Sequence, residues 1–346
     1  MTDTMPERRS LAILLLGATF TVVAVLYIFL RVDWRQFAGM DLSIDWFLLG
    51  SGVVLIIGIY LVSSLRWMLL LQGQIGFSAA CLVVFIGHGL NAILPARGGD
   101  IVKLIYMQKT WGVPLSRGAI RLLLEKTLDL VFVVLMAIMS WAMFLSDRVT
   151  QLTAPISLAL VLVLLLVLAA QFPSLLSLLL KRMLVRLPYS GQIAQWQESA
   201  MRELSGLLRS RQIVLAGLLT LAIWFVLEFV FVFLIAGSLQ IHLNYQSALL
   251  IIACGALSVG LPSAPSGIGV YHAAVMGAFE LLGYPAEQGL VAATLLHLAN
   301  TIPVLVLGGI TYTFNRRREV APRDSANVTA IAETPTVPPA TPSHRQ

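Results

Sequence analysis

The feature that most constrains the fold is an apolar segment, broken by proline and glycine, that occurs once in each half of the chain. In the first half, an apolar run over residues 79–94 ends at Pro95-Ala96-Arg97-Gly98-Gly99-Asp100. In the second half, a run over 248–261 ends at Pro262-Ser263-Ala264-Pro265-Ser266-Gly267-Ile268-Gly269. Each run is shorter than the roughly 20 residues that a membrane-spanning helix needs. Paired short segments of this kind are typical of discontinuous helices in membrane transporters.

A Gly-x-Pro turn follows each break at a similar distance. The two turns are Gly112-Val113-Pro114 and Gly283-Tyr284-Pro285, and each leads into a long apolar helix. The same order of elements in both halves predicts an internal repeat.

The composition is that of a membrane protein. Apolar residues make up 58% and charged residues 12% of the 346 residues, whereas soluble domains contain about 25% charged residues. We predict an all-α polytopic membrane protein with about six spanning helices. These helices are expected at 11–30, 46–70, 127–145, 154–172, 213–238 and 288–314. The first is longer than a signal-peptide core and is interpreted as a retained anchor.

The basic residues decide how the short segments lie. If the first segment turns back within the membrane, the N-terminus, the region 97–126, the linker 181–211 and the basic triplet at 316–318 all face the cytoplasm, in agreement with the positive-inside rule. If it crossed, the basic linker would lie outside. We therefore predict two re-entrant helical hairpins of opposite orientation, related as an inverted repeat, with both termini cytoplasmic. Their broken tips would meet at a depth where irregular backbone must be buried or line a watered cavity.

Two segments have a different character from the transmembrane domain, which we assign to residues 1–315. The segment 173–211 has apolar residues at helical spacing and is predicted to lie on the cytoplasmic membrane surface as an amphipathic linker. Residues 320–346 are rich in Pro, Thr and Ser and are predicted to form a disordered tail. The net charge of +6 resides in loops without a nucleic-acid-binding motif, so no nucleic acid partner is expected.

The breaks carry most of the candidate binding residues. Asp100 and Ser266 are suited to cap helices that begin there, and free amides at a helix start attract phosphate. Arg97 and Lys103 would add positive charge beside the first break. The alternative is that these residues only form the hairpin turn, with Arg97 paired to Asp100. The candidate substrate-binding residues of the two breaks are Arg97, Gly98, Gly99, Asp100, Lys103, Ser263, Ser266, Gly267, Gly269, Tyr271 and His272.

Further candidates lie in the long helices that follow the breaks. Glu125 and Asp129 repeat with Arg121 at four-residue spacing, which favours ion pairs on one helix face. A substrate or proton role is the alternative. Asn300 lies at the same distance in sequence from the second Gly-x-Pro turn as Asp129 does from the first. Both side chains could instead hydrogen-bond across the helix bundle.

Glu228 lies within the apolar run 213–238, with no basic residue one turn away. An ionised carboxylate there needs a partner, so Glu228 is either a proton-carrying group or a protonated acid bonded to a neighbouring helix. His88, His272 and His297 occur at no metal-ligand spacing. Walker, Rossmann, HExxH and nucleophile-elbow motifs are absent. The sequence thus predicts no metal, no cofactor and no catalytic residue.

The first break, from Asn91 to Asp100, with Glu125-Lys126 and Asp129 downstream, resembles the lysylphosphatidylglycerol synthase transmembrane region, also called the flippase-like domain family. The second break resembles the other signature of that family, in which an acidic residue often occupies the position of His272. The resemblance covers about residues 10–315. It implies a bacterial or archaeal inner-membrane protein connected with lipid translocation or envelope lipid modification. The aminoacyl-transfer domain of some relatives is not expected here.

Three functions are compatible with these features. The first is a translocase that moves a phosphate-bearing lipid between leaflets, so that its partner is a membrane lipid with an anionic headgroup. The second is a membrane-embedded transferase that uses Glu125 or Asp129 as a base. The third is an accessory subunit of an envelope-lipid biosynthetic enzyme. The predicted inverted repeat favours the first, because alternating access needs two pseudo-symmetric states around one site.

Overall fold

The computed structural model describes residues 5–94, 97–145, 206, 210–261 and 263–320. Every regular element within these ranges is helical. The predicted linker and tail lie almost entirely outside them, so both stay predictions. The helices are α1 Met5–Arg31, α2 Trp34–Ala38, α3 Trp46–Leu70, α4 Phe77–Asn91, α5 Gly98–Trp111, α6 Leu115–Leu145, α7 Arg211–Ala222, α8 Glu228–Ser238, α9 Tyr245–Val259, α10 Val270–Leu281 and α11 Ala286–Val320.

Among the described residues, three helical segments are long and apolar enough to cross a bilayer: Trp46–Leu70, Arg211–Ser238 and Ala286–Phe314. The second contains α7 and α8, which are joined by a π-helical turn. The apolar part of α1 is shorter, at Leu15–Arg31. Helix α6 has 31 residues, but its N-terminal half carries many charges. The predicted span 154–172 lies outside the described residues, and the total of about six stays a prediction.

Helices α4 and α5 form the first hairpin, and α9 and α10 form the second. Helix α4 has 15 residues, which gives a length of about 22 Å at about 1.5 Å per residue, against a hydrocarbon core of about 30 Å. Helix α9 also has 15 residues. In the first hairpin, a Cβ atom at Gly99 would lie 2.1 Å from the carbonyl oxygen of Gly87. Glycine is therefore required for α5 to pack this closely against α4.

Each hairpin packs against the long helix that follows the other hairpin. Helix α4 packs on α11, which follows the second hairpin, and α9 packs on α6, which follows the first. Glycines bring α4 and α11 together, since a Cβ atom at Gly308 would lie 2.6 Å from the carbonyl oxygen of Phe85. The main apolar core lies between α3, α8, α9, α10 and α11, together with two methionines of α6. This reciprocal arrangement is the one that a two-fold relation between the halves requires.

The two Gly-x-Pro turns lie at opposite ends of α3. Val113, in the first turn, packs in one apolar cluster with Leu71, at the end of α3. Tyr284, in the second turn, donates a hydrogen bond to the carbonyl oxygen of His242. The loop that contains His242 is held beside the start of α3, where the N–H of Asp45 donates to the carbonyl oxygen of Ser238.

We predict that the two turns face opposite sides of the membrane. Single cysteines should replace Pro114 and Pro285, which are exposed, because the neighbouring glycines adopt positive φ angles that a cysteine would strain. In a background with Cys81 and Cys254 replaced by alanine, a membrane-impermeant maleimide added to intact cells should label only one of the two variants. Labelling of both from the same side would contradict the inverted repeat.

Candidate functional site

A buried ion network connects α3, α6 and α7. Arg66, on α3, is only 3% exposed. Its guanidinium donates to Oε1 of Glu125 at 2.8 Å and to Oδ1 of Asp129 at 2.6 Å. A third bond, of 3.1 Å, goes to Oγ1 of Thr220 on α7. The two acids of α6 therefore bind a cation from another helix, whereas the pairing with Arg121 within α6 stays a prediction.

Lys103 brings the first hairpin into the same network. Its Nζ lies 3.5 Å from Oε2 of Glu125 and 3.5 Å from the ring centroid of Trp67. The indole Nε1 of Trp67 donates to the same carboxylate oxygen at 2.7 Å. Arg66 and Lys103 thus balance the charges of Glu125 and Asp129. Such pairing is needed because burial of an isolated charge is costly.

Glu228 follows directly on the π-helical turn Ile223–Leu227. Trp224, within this turn, donates from Nε1 to Oδ1 of Asp129 at 3.0 Å, which ties the turn to the ion network. Single π turns inside α-helices occur frequently at functional positions. Of the ion pairs among the described residues, none includes Glu228. Its side chain lines a cavity that is described below.

At the first break, α5 begins at Gly98, and Arg97 is its N-cap residue with a left-handed φ of 55°. The prediction that a helix begins at Asp100 is wrong, because the side chain of Asn91 provides the cap instead. Its Oδ1 accepts from the backbone N–H of Asp100 at 3.2 Å. Asp100 also lies 3.9 Å from Nζ of Lys126.

Arg97 connects the two hairpins. Its Nη2 donates to the carbonyl oxygen of Val259, the last residue of α9, at 3.1 Å. The two broken tips are therefore in contact, as the predicted meeting of the hairpins requires. This bond, and not the alternative pairing with Asp100, orients the guanidinium.

At the second break, α10 begins at Val270 and not at Ser266, so the predicted helix start is wrong. Ser266 lies in a short 3-10 turn, and the φ of 85° at Gly269 separates this turn from α10. The Oγ atom of Ser266 lies 2.9 Å from Nε2 of His297 on α11. The rings of Tyr271 and His272 each lie 4.9 Å from that of His297, centroid to centroid.

The break glycines differ in what surrounds them. A Cβ atom at Gly98 would contact Leu94, and one at Gly269 would lie 3.2 Å from Val25 of α1. Gly98, Gly99 and Gly269 therefore permit close packing of each break against neighbouring segments of the protein. At Gly267 the nearest side-chain atom would be 3.9 Å away, an ordinary contact, so the φ of 74° and not close packing favours glycine there.

Two cavities lie between the hairpins. The larger, of about 490 Å³, reaches Glu228 and the ion network and is bounded by apolar residues of α3, α8 and α9. The smaller, of about 230 Å³, lies between the two breaks. Arg97, Lys126, His88, Tyr60, Tyr271 and Asn300 line both. Asn300 accepts a hydrogen bond from the hydroxyl of Tyr60 at 2.7 Å. This bond joins α11 to α3, which agrees with the alternative that Asn300 hydrogen-bonds across the helix bundle.

The charges around the smaller cavity are of one sign. Arg97 and Lys126 line it together with His88 and His297, and no carboxylate does so within the described part of the chain. Ser263, Ser266 and Gly267 complete its second-half wall. The described residues contain no group of three or more His, Cys, Asp or Glu side chains that could hold a metal ion. The arrangement suits an anion held by side-chain donors.

The structure adds two residues to the predicted site. Arg66 was hidden in an apolar run, although an ionisable residue at membrane depth is itself a signal of function. In the sequence Lys126 is only the neighbour of Glu125, but it lines the smaller cavity, which the buried Glu125 does not.

Comparison with known families supports the resemblance. Residues 11–308 match the family model described as "Lysylphosphatidylglycerol synthase TM region". Searches of curated proteins and of solved structures gave no significant match. The family indicates a membrane protein connected with envelope lipids. The chain belongs to the lysylphosphatidylglycerol synthase TM region family.

Proposed function

We propose that this protein is a lipid translocase that moves a lipid with a phosphate-bearing, anionic headgroup between the leaflets of the inner membrane. The observation that carries the proposal is the smaller cavity, which is lined by both hairpin tips and by cationic but not acidic side chains among the described residues. A headgroup phosphate would bind Arg97 and Lys126, since Arg pairs with phosphate in a bidentate geometry.

The ion network explains why Arg97 and Lys126, and not Arg66 and Lys103, are available to bind a phosphate. Arg66 and Lys103 are already bound to Glu125 and Asp129. Arg97 bonds only a backbone carbonyl in the contacts described above, and Lys126 is 3.9 Å from Asp100. Lysine at that distance can exchange its partner for a phosphate at small cost, because the existing pair is long and partly exposed.

The reciprocal packing of the hairpins supports alternating access around this cavity. If the halves are related by an inverted repeat, exchange of their conformations would open the same cavity first to one side and then to the other. Both termini would then face the cytoplasm, as the positive charge of the loops favours.

The transferase alternative receives less support from the geometry. Its proposed bases, Glu125 and Asp129, both accept hydrogen bonds from Arg66. Both acids thus have a charge-pairing role with Arg66 that needs no substrate.

Reconstitution tests the proposed function directly. The purified full chain should be placed in vesicles with fluorescent lipids that share their acyl chains and differ in the headgroup. We expect faster movement of phosphate-bearing anionic lipids between leaflets than of a neutral glycolipid or diacylglycerol. Equal rates with and without protein for every lipid would refute the proposal.

We further predict that Glu228 couples transport to protons. Its carboxyl group lines the larger cavity beside Tyr60 and Tyr271, and its position would let protonation change as water access alternates. Glu228→Gln should fold and bind lipid, but its transport should no longer respond to an imposed pH gradient. The matched control is Glu280→Gln, because Glu280 binds Arg31 outside this cavity. An unchanged pH response in Glu228→Gln would assign the residue a purely structural role.

A further inference from the structure

The two halves contribute equivalent residues to the smaller cavity. Arg97 and Ser266 are non-glycine residues with left-handed φ angles of 55° and 59°, and each is followed directly by glycine. Non-glycine residues in this conformation are uncommon. Gln72 and Gln240 share it outside the breaks, but of these four described residues only Arg97 and Ser266 line the smaller cavity. Each break thus contains one cavity-lining side chain whose residue has this left-handed backbone conformation.

A second pair of equivalent residues comes from the long helices. Lys126 and His297 each stand twelve residues after the proline of the preceding Gly-x-Pro turn. All four residues line the smaller cavity. Each half therefore builds one subsite from a break residue and a long-helix residue: Arg97 with Lys126 in the first, and Ser266 with His297 in the second.

The two subsites have related but unequal chemistry. The first carries two fixed positive charges. The second contains a hydroxyl and an imidazole that are hydrogen-bonded to each other at 2.9 Å. Each of the two groups can donate one hydrogen bond to a phosphate oxygen when it exchanges this mutual bond for the ligand. The cavity has a volume of about 230 Å³, and it extends from the first break to the second, so a ligand that fills it would contact both subsites.

We propose that the cavity accepts a lipid headgroup with two linked phosphates, one in each subsite. This inference rests on the proposed function and narrows its substrate class from a phosphate-bearing lipid to a diphosphate-bearing lipid. The phosphate nearer the first break binds Arg97 and Lys126. The other binds Ser266 and His297.

Binding of two probes with the same tail tests the inference. Farnesyl phosphate and farnesyl diphosphate should be titrated into the detergent-solubilised full chain by calorimetry. We expect the diphosphate to bind at least about tenfold more tightly, a difference of about 1.4 kcal/mol. Equal affinities in the wild-type protein would overturn the inference.

Variants of the second subsite identify the source of this preference. His297→Leu and Ser266→Gly should each reduce the ratio of diphosphate to monophosphate affinity towards one. Glycine is chosen because it adopts the φ of 59° at this position without strain, so this variant remains informative if His297→Leu folds poorly. The matched control is His242→Gln, since His242 lines a separate cavity beside the second Gly-x-Pro turn, and it should keep the wild-type ratio.

The outcomes separate this inference from the proposed function. If monophosphate lipids are moved between leaflets and the affinity ratio is near one, only the diphosphate inference fails. If His297→Leu and Ser266→Gly both keep the wild-type ratio, the second subsite is wrong. If neither lipid binds or moves, the proposed function itself fails.

Discussion

Arg66→Met is expected to destabilise the protein by about 3–5 kcal/mol, the usual cost of removing one partner from a buried ion pair. Arg66 is 3% exposed and donates to Glu125, Asp129 and Thr220. Methionine fills a similar volume but leaves excess negative charge on the two acids. Lys103 compensates only one of them, because its Nζ is close to Glu125. Thermal unfolding in detergent should show a much lower midpoint for this variant.

The matched control for Arg66→Met is Arg31→Met. Arg31 also binds a carboxylate, Glu280 at 2.6 Å, but its side chain is 57% exposed. Exposed pairs contribute about 0–1 kcal/mol, so this variant should unfold close to the wild-type midpoint. Adding Glu125→Gln and Asp129→Asn to Arg66→Met should recover part of the lost stability. Equal midpoints for the two arginine variants would show that the network does not hold α3, α6 and α7 together.

Arg97→Ala is expected to reduce lipid transport about 10- to 100-fold. The change removes the proposed phosphate contact, and a hydrogen bond to a charged group contributes about 1.5–3 kcal/mol, which corresponds to that range. It also removes the bond to Val259 that joins the hairpin tips. Arg97→Lys should retain partial transport, because lysine keeps the charge but not the bidentate geometry. The measurement is the rate of labelled lipid movement in reconstituted vesicles.

Lys109→Ala is the control for Arg97→Ala. Lys109 is an exposed cation in the last turn of α5, at the other end of the helix from the break, and its loss should leave transport unchanged. Wild-type transport by Arg97→Ala protein of normal abundance would remove Arg97 from the headgroup site. A parallel loss in Lys109→Ala would point to the general charge of the hairpin and not to a specific contact.

The sequence by itself determined the features that depend on local composition. Apolar content identified the membrane class, and Pro95 and Gly269 marked where helices are interrupted, because proline and glycine act on the backbone at their own positions. The family could be recognised from the same short motifs. The exact helix starts were not predictable, since the cap of α5 comes from Asn91 on the preceding helix.

The tertiary structure alone decided which side chains meet. Arg66 and Glu125 are 59 residues apart, and Arg97 and Val259 are 162 apart. Such contacts depend on the rotation of each helix about its axis and on the neighbour that it packs against, which hydropathy does not specify. Spacing on α6 therefore suggested pairing within one helix, while packing supplied Arg66. For the same reason His272, which is isolated from His297 in the sequence, lies beside it in the structure, next to the serine of the second break.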